Sequence, residues 1–180
     1  QRVNSIYNDS ILNRRFTNAG HARSFGLELG TNVQFNKWWN LYFGGNVYNY
    51  KIKGNLSILG ITTPIDNQSW VYSFNANTNF QLSKSFSLQG NVNYLSRRPT
   101  AQGRDSRFLS PNISLKKSFM NGLLSTSLQW QNIDLGLGES NRQRITTSGP
   151  DFYTTTNYIY ETDVLMINFS FNLNKFTSKN

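Results

Sequence analysis

Arginine is the residue type in this chain whose chemistry points most directly to binding. Its planar guanidinium can hold a phosphate or a carboxylate with two parallel hydrogen bonds. Six arginines fall in two polar stretches of the second half of the chain: Arg97, Arg98, Arg104, Arg107, Arg142 and Arg144. They predict contact with an anionic ligand or with lipid phosphate. The alternative, which is the more common role of exposed charges, is local ion pairing with Asp105, Asp151 or Glu161.

Residues that could carry out catalysis are scarce. The single histidine, His21, lies in the polar stretch AGHAR without a nearby acid or nucleophile, and the chain has no cysteine. No glycine-rich phosphate loop, zinc-ligand spacing or nucleophile elbow occurs. These features predict that the protein is not an enzyme and holds no metal or cofactor. Catalytic residues brought together from separate strands are the alternative.

The composition predicts an all-β chain of 180 residues without an internal linker. It contains 25 Asn and 20 Ser but only four Ala, and strong helix formers are therefore few. Aromatic residues reach 14%, well above what a disordered chain carries. The mean hydropathy is −0.51, and no apolar run approaches the length of about 18 to 20 residues that a membrane helix needs.

Strict alternation of apolar and polar residues identifies the strands. In the stretch INFSFNLNKF, which starts at Ile167, large apolar residues alternate with Asn and Ser, which is typical of a strand with two different faces. The same pattern recurs in segments of about ten residues, the length that crosses a bilayer as a tilted strand. The predicted strands are 11–18, 23–36, 40–53, 69–82, 86–97, 107–118, 123–134 and 158–175.

The connections between these segments alternate in length. Short turns (NKWWN, SKSF and KKSFMNG) alternate with long polar stretches near residues 53–68, 96–107 and 135–158. Outer-membrane β-barrels have this layout, with short periplasmic turns and long extracellular loops. A soluble sandwich or lipocalin-like barrel is the alternative, but its surface would usually carry more Lys and Glu. The predicted fold class is therefore an antiparallel transmembrane β-barrel of about eight strands.

A transmembrane barrel assigns its two faces to lipid and lumen. We expect Phe74, Phe80, Leu88, Val92, Leu128, Phe169 and Phe171 to point outward into lipid. The residues predicted to point into the lumen are Glu28, Asn75, Asn77, Asn79, Asn91, Ser127, Asn168 and Asn172. Aromatic residues at the strand ends predict two interfacial girdles, one around Trp38, Trp39, Phe86 and Phe119, the other around Tyr48, Tyr50, Trp70, Tyr94 and Tyr160.

Several stretches resemble a known family. The run from Thr17 to Gly54, with NAG at 18–20, GLEL at 26–29 and KWWNL at 37–41, is similar to the barrels of TonB-dependent outer-membrane receptors common in Bacteroidetes. FLSPNISLKKSFMNGLLSTSLQWQNIDLG and the closing INFSFNLNKF resemble the last strands of those barrels. The resemblance implies import of a nutrient across the cell outer membrane. It also implies a plug domain and a TonB-like energy transducer as partners, neither of which is visible in residues 1–180.

The net charge of +9 would ordinarily suggest a nucleic-acid partner, but its distribution suggests a membrane. The six arginines lie at the long-loop end, where an outer leaflet of lipopolysaccharide presents phosphates. We therefore expect outer-membrane lipid and lipopolysaccharide as partners, and no nucleic acid.

Barrel closure separates two forms of this hypothesis. If residues 1–180 are the C-terminal part of a larger receptor barrel, residues 1–8 should form only part of a strand, and closure against residues 160–175 should be incomplete. The alternative is a small, complete eight-stranded barrel with a structural or adhesion role, which would show a full ladder there. We expect incomplete closure.

Overall fold

The computed structural model describes residues 2–7, 11–16, 18, 20–58, 60–137, 140–149 and 152–173. These residues form thirteen β-strands: β1 (Arg2–Tyr7), β2 (Ile11–Phe16), β3 (His21–Asn36), β4 (Trp39–Ile58), β5 (Ile61–Ser83), β6 (Phe86–Leu95), β7 (Arg98–Pro99), β8 (Gly103–Asp105), β9 (Phe108–Phe119), β10 (Leu124–Gln131), β11 (Arg142–Gly149), β12 (Phe152–Ile159) and β13 (Val164–Phe171). The only described helical element is a 3₁₀ turn over Met120–Gly122. The all-β prediction is confirmed.

Seven strands form the main sheet in the order β13-β10-β9-β6-β5-β4-β3, and every pairing in it is antiparallel. The register places like residues opposite each other, for example Asn77 opposite Asn91 and Phe74 opposite Tyr94. One side of the sheet, the polar face, therefore collects the Asn, Ser and Gln positions. The other side, the apolar face, collects the Phe, Leu and Val positions, as the alternation predicts.

The two ends of the main sheet differ as the connection lengths predict. At the turn end, β3–β4, β5–β6 and β9–β10 are joined by turns at 37–38, 84–85 and 120–123. The first of these is fixed by Asn36, whose side-chain Oδ1 accepts a hydrogen bond from the Trp38 amide at 3.0 Å. At the loop end lie the connection between β2 and β3 and the long segments that hold β7–β8 and β11–β12.

Four predicted assignments are wrong. The predicted loop 96–107 contains the short strands β7 and β8. The stretch 53–68, predicted as a loop, is mostly strand, because β4 and β5 form one hairpin paired from Trp39–Phe80 to Ile58–Ile61. The predicted loop 135–158 contains β11 and most of β12. The predicted strand 158–175 is two strands, separated at Tyr160–Asp163, where Asp163 adopts φ 55° and ends the extended run. Residues 174–175 lie outside the described residues.

Four strands form a second sheet in the order β12-β11-β8-β7 at the loop end. The β7–β8 segment, Arg98 to Asp105, is called the cap below. The cap contributes Ala101 to a buried cluster that also contains Ile52, Leu56 and Ile65 of the long hairpin, and Tyr50 packs against this cluster. The Asn67 Nδ2 donates to the Thr100 carbonyl at 2.9 Å and fixes the cap to the long hairpin.

Among the described residues, the main sheet does not close into a barrel. β1 pairs with β2 in a separate two-stranded sheet, over Arg2–Phe16 to Tyr7–Ile11. Within the described part of the chain, β3 pairs only with β4, and β13 pairs only with β10. The expectation of incomplete closure is confirmed for the described residues, which do not show the full ladder that the alternative, a complete eight-stranded barrel, would need.

Candidate functional site: the two faces and the loop end of the main sheet

The polar face holds an asparagine cluster that crosses several strands. Asn91 accepts hydrogen bonds at its Oδ1 from Asn93 Nδ2 at 2.9 Å and from Asn112 Nδ2 at 3.2 Å, and it donates to Asn77. A concavity of about 420 Å³ lies over this cluster, and its lining also includes Asn79. The concavity offers amide donors and acceptors, so it suits a polar, uncharged surface of a ligand or of a second protein segment.

A second concavity of about 260 Å³ lies nearer the loop end on the same face. Glu28 and Asn75 line it together with Asn46, which is opposite Glu28 in the register. Gly44 makes room for this arrangement, since a Cβ there would lie 2.6 Å from Asn75 Oδ1 and 2.7 Å from the Tyr42 hydroxyl. The Asn46 Oδ1 is buried and has no hydrogen-bond partner among the described residues.

The remaining predicted lumen residues also lie on the polar face. In β13, Asn168 lies opposite Ser127. Asn172 directly follows this strand, and its backbone amide donates to the Leu123 carbonyl at 2.8 Å. The structure therefore places all these residues on one face, and whether this face lines a lumen stays a prediction.

The apolar face exposes large hydrophobic side chains. All sixteen residues of β3 are exposed, and Phe25 is 84% accessible. In β13, Phe169 and Phe171 are 69% and 63% accessible. An apolar surface of this size on a protein in water would be a site of association. In a bilayer it is the expected outer surface of a strand.

Aromatic rings mark the turn end of the apolar face. Trp39 stacks on Phe35 with ring centroids 4.0 Å apart and on Phe80 at 5.5 Å, and Trp38 lies 6.1 Å from Phe80. The Trp39 Nε1 donates to Thr78 at 3.0 Å. Lys117 places its Nζ 5.7 Å from the Phe86 ring centroid. This combination of rings and an ammonium group suits the headgroup region of a membrane.

The predicted aromatic girdle at the loop end is only partly correct. Trp70, Tyr72 and Tyr94 lie on the apolar face, where Tyr94 stacks on Tyr72 and on Phe74 with centroid distances of 5.9 and 5.0 Å. Tyr48 and Tyr50 lie on the polar face. Directly paired residues share a face, and Tyr48 pairs with Val71, which is fully buried on that side. Tyr160 instead packs against Phe108, with ring centroids 5.4 Å apart.

The structure divides the six arginines among three places. Arg97 and Arg107 line a pocket beside the aromatic residues of the apolar face. Arg98 donates from Nη2 to the buried carboxylate of Asp105 at 2.8 Å. Arg104, Arg142 and Arg144 are exposed on the four-stranded sheet, where Arg144 Nε donates to Asn157 at 3.2 Å. Asp151 lies outside the described residues, and no described ion pair joins Glu161 to an arginine.

Tyr153 lies beside two of these arginines. Hydrogen bonds from Thr155 and Thr146, together with the positive charges of Arg144 and Arg104, hold the pKa of Tyr153 below its ordinary value of 10.0. The side chain is 70% accessible. This part of the four-stranded sheet therefore favours a negatively charged oxygen.

Asn141 is a structural residue that the sequence pattern did not identify. It is fully buried at φ 54°, and its Nδ2 donates to the carbonyls of Asn132 and Ile133 at 2.7 and 3.1 Å. Its backbone amide donates to Leu109 at 2.8 Å. Asn141 thus connects the start of β11 to the loop ends of β9 and β10. An asparagine before a strand, in a chain with 25 asparagines, gives no distinctive signal.

The residues named as candidates for metal binding or catalysis are not brought together within the described ranges. No group of three or more His, Asp or Glu side chains among them could hold a metal ion. His21 opens β3 and is exposed. No helix of the described residues has the length and apolar character needed to cross a membrane.

Comparison with known proteins gives one positive result. Residues 1–171 match the outer membrane protein beta-barrel family. Searches of curated proteins and of solved structures return no match.

Proposed function

The chain belongs to the outer membrane protein beta-barrel family, and from this premise we propose that it forms the C-terminal barrel strands of a TonB-dependent receptor that imports a nutrient. The family locates the protein in the cell outer membrane, and its members are typically not enzymes. In this proposal the present chain is likewise not an enzyme. The plug domain and the contact with a TonB-like energy transducer belong to other parts of the receptor.

The observation that carries the proposal is the contrast between the two faces of one open sheet. The apolar face presents exposed rings and aliphatic side chains, and the polar face presents two amide-lined concavities. Glu28, Asn75, Asn77, Asn79, Asn91, Asn168 and Asn172 would line the lumen. A wide lumen needs more strands than this sheet has.

The two outer strands of the main sheet support a larger barrel. Each pairs on one side only among the described residues, and a sheet in a bilayer must pair every strand edge. Further strands of the same receptor between β13 and β3 would satisfy this requirement. A complete eight-stranded barrel would instead need a direct ladder between the two ends of this chain.

Energy-coupled uptake is the property that tests the proposal. Cells that express the full-length protein, and cells with its gene deleted, would be compared for uptake of ferric siderophore, haem, cobalamin, oligosaccharides and peptides. We expect deletion to abolish uptake of one of these nutrients, and a protonophore to abolish the same uptake in the expressing cells. Uptake that resists the protonophore would indicate a passive pore. Unchanged uptake of every nutrient would indicate a structural or adhesion role, and either result would contradict the proposal.

A further inference from the structure

We propose that the open edge of β12 binds an acidic, extended segment of a second protein by strand addition. β12 (Phe152–Ile159) lies at one end of the four-stranded sheet, and among the described residues it pairs only with β11. A partner strand would continue the sheet through main-chain hydrogen bonds, a known mode of peptide recognition. The sheet lies at the loop end, which is the outer side of outer-membrane barrels. The site depends on the location in the outer membrane and not on nutrient import.

The two edges of the four-stranded sheet differ in how they are protected. The β7 edge consists of Arg98 and Pro99 alone, so it is short and carries a charge and a proline. The β12 edge has eight residues without a proline or a charged side chain, and its register against β11 has no bulge. Short length, proline, charge and bulges are the features that keep exposed edges from pairing with other chains. β12 has none of these features, so its edge is suited to pairing.

The backbone groups of β12 divide between β11 and the open edge. Just past the strand, the Tyr160 amide donates to the Asn141 carbonyl at 3.0 Å, so the backbone groups of Tyr160 point to the β11 side. The Ser106 amide donates to the Arg144 carbonyl at 2.7 Å, so the backbone groups of Arg144 point to β8 and away from β12. Backbone groups alternate in direction along an antiparallel strand. The residues of β12 whose N–H and C=O point to the open edge are therefore Tyr153, Thr155, Asn157 and Ile159.

The side chains beside the open edge belong to a basic face. Thr155 lies in one row with Thr146 and Arg104. Asn157 lies opposite Arg144. Paired residues share a face, so both arginines lie on the face that carries the side chains of the edge residues. β11 and β12 contain no acidic residue, and this face therefore attracts an acidic partner and repels a basic one.

Arg144 extends across β12 towards the open edge. Its Nε donates to Asn157 Oδ1 at 3.2 Å, which places the guanidinium beside β12. Neighbouring strands lie about 4.8 Å apart, so a carboxylate on an added strand next to Asn157 comes within reach of this guanidinium. On the same face, the charges of Arg144 and Arg104 contribute to the lowered pKa of Tyr153. Glutamate at alternate positions of the partner strand fits this face.

A second copy of the chain suits the edge less well. Pairing of β12 with the same strand of another copy would add a second set of arginines to one continuous sheet. Like charges at an interface oppose association. The charge of the edge therefore favours an acidic segment of a different protein.

Peptide binding to the full-length protein in detergent micelles tests the edge. The probe is a fluorescent octapeptide of alternating glutamate and threonine, and fluorescence anisotropy measures its affinity. The same peptide with every backbone amide N-methylated cannot donate to the ladder. An octapeptide of alternating lysine and threonine has the opposite charge.

Variants of the protein test the two contributions separately. Thr155→Pro removes one N–H that points to the open edge. Its matched control is Thr155→Val, which also loses the hydroxyl but keeps the N–H. Arg144→Gln removes one charge of the basic face, and Lys53→Gln removes one charge from an exposed position of the long hairpin. Heat-modifiable migration in gels verifies that each variant is folded.

We expect N-methylation, and the exchange of glutamate for lysine, each to weaken binding by about tenfold or more, because ladder bonds or charge-assisted contacts are lost. Thr155→Pro and Arg144→Gln should each weaken binding of the acidic peptide by about fivefold. The two controls should change it by less than about twofold.

Four results would overturn the proposal. Equal binding of the N-methylated peptide would mean that charge alone attracts the probe, and equal binding of the lysine peptide would mean that the face does not select acids. No binding of the acidic peptide at about 1 mM would mean that the edge is covered in the full-length protein. Self-association of the protein that Thr155→Pro abolishes would identify a second copy as the occupant.

Discussion

The two halves of the β4–β5 hairpin have opposite patterns of polar and apolar residues. The lower half lies toward the turn end of the main sheet, and the upper half lies toward the loop end. Near the turn end, the polar face carries Asn40 and Asn46 while the apolar face carries Phe43 and Val47. Past Tyr48 the pattern inverts. The face that was polar carries Ile52 and Leu56, which are 1% and 5% accessible. The face that was apolar carries Asn49, Lys51, Lys53 and Asn55.

The inversion predicts that one pair of strands crosses from one solvent into another. In the lower half the large side chains point outward, which fits apolar surroundings of the outer face. In the upper half the apolar side chains turn inward toward the cap, which fits water around the outer face. The ion pair of Lys51 with Asp66, at 3.5 Å, lies on the outer face above the inversion. We therefore predict that the edge of the lipid lies near Tyr48 and Val71, where the pattern inverts.

The largest expected effect comes from placing a charge in the buried cluster of the upper half. Leu56→Arg should destabilise the hairpin under the cap by about 3 to 5 kcal/mol, because it removes a buried leucine and buries an unpaired charge. Hydrogen exchange of residues 50–67 measures the local opening. The neighbouring Asn55 is exposed, so Asn55→Arg should leave exchange unchanged. Comparable losses from both variants would mean that the inversion is absent.

In the lower half we expect a charge on the outer, apolar face to be more destabilising than the same charge on the polar face. Phe74→Arg places a cation on the apolar face near the middle of the sheet and should cost about 2 to 4 kcal/mol in a bilayer. Asn75→Arg places the same charge beside a concavity and should be tolerated. Refolding into lipid vesicles under a urea gradient measures both. A larger penalty for Asn75→Arg would mean that the two faces are assigned the wrong way round.

A smaller effect is expected at the cap. Asp105→Asn removes the carboxylate that accepts from Arg98 and should destabilise the cap by about 1 to 3 kcal/mol, because hydrogen bonds to charged groups contribute that much. Arg98 is half exposed and can be solvated, which keeps the loss below that of a fully buried pair. Limited proteolysis should cut the cap faster in this variant, while the turn end stays intact. Unchanged cleavage would indicate that the apolar cluster alone holds the cap.

The smallest effect concerns Tyr153 in the upper part of the molecule. Its phenol should titrate below pH 10, and Thr155→Val should move that pKa upward, because the Thr155 hydroxyl is the largest cause of its lowering. Absorbance at 295 nm, with Tyr153→Phe to assign the signal, measures this. A tyrosine whose pKa is lowered on folding contributes its full stabilisation only when the pH is above its pKa in the unfolded chain. This contribution disappears as the pH falls through its pKa in the folded state. At neutral pH, Thr155→Val should therefore leave stability nearly unchanged through this route.

The sequence predicted the lower half of the sheet well because a single rule applies there. Alternation alone located β3 and β6 within about two residues and assigned Phe74 and Asn75 to opposite faces. The same rule failed at 53–68, because the alternation inverts there, while Gly54, Gly60 and Pro64 are typical of loops. The Thr-rich runs of β11 and β12 were a usable strand signal, with the sequence Gly149-Pro150 between them.

The candidate site was less predictable than the fold. The sequence identified all six arginines but could not predict which of them share a location, since Arg97 and Arg98 are neighbours in sequence with different surroundings in the structure. The division depends on β7, which consists of two residues and has no periodicity. Asp105 was named as a possible partner, and its burial by the cap could not be anticipated.

The four tryptophans lie as two pairs at the two ends of the main sheet, so their fluorescence can report depth in a bilayer. Trp38 and Trp39 lie at the turn end, whereas Trp70 and Trp130 lie at the loop end. Trp39 is opposite Phe80, and Trp70 is ten residues away from Phe80 along β5. At about 3.3 Å per residue and a tilt of about 40°, this separation corresponds to a height of about 25 Å, which is the thickness of the apolar band of such proteins. A water-soluble quencher that cannot cross the bilayer, added to one side of a vesicle, would therefore dim only one pair of indoles. Emission would thus report which way round each molecule has inserted, without any label attached.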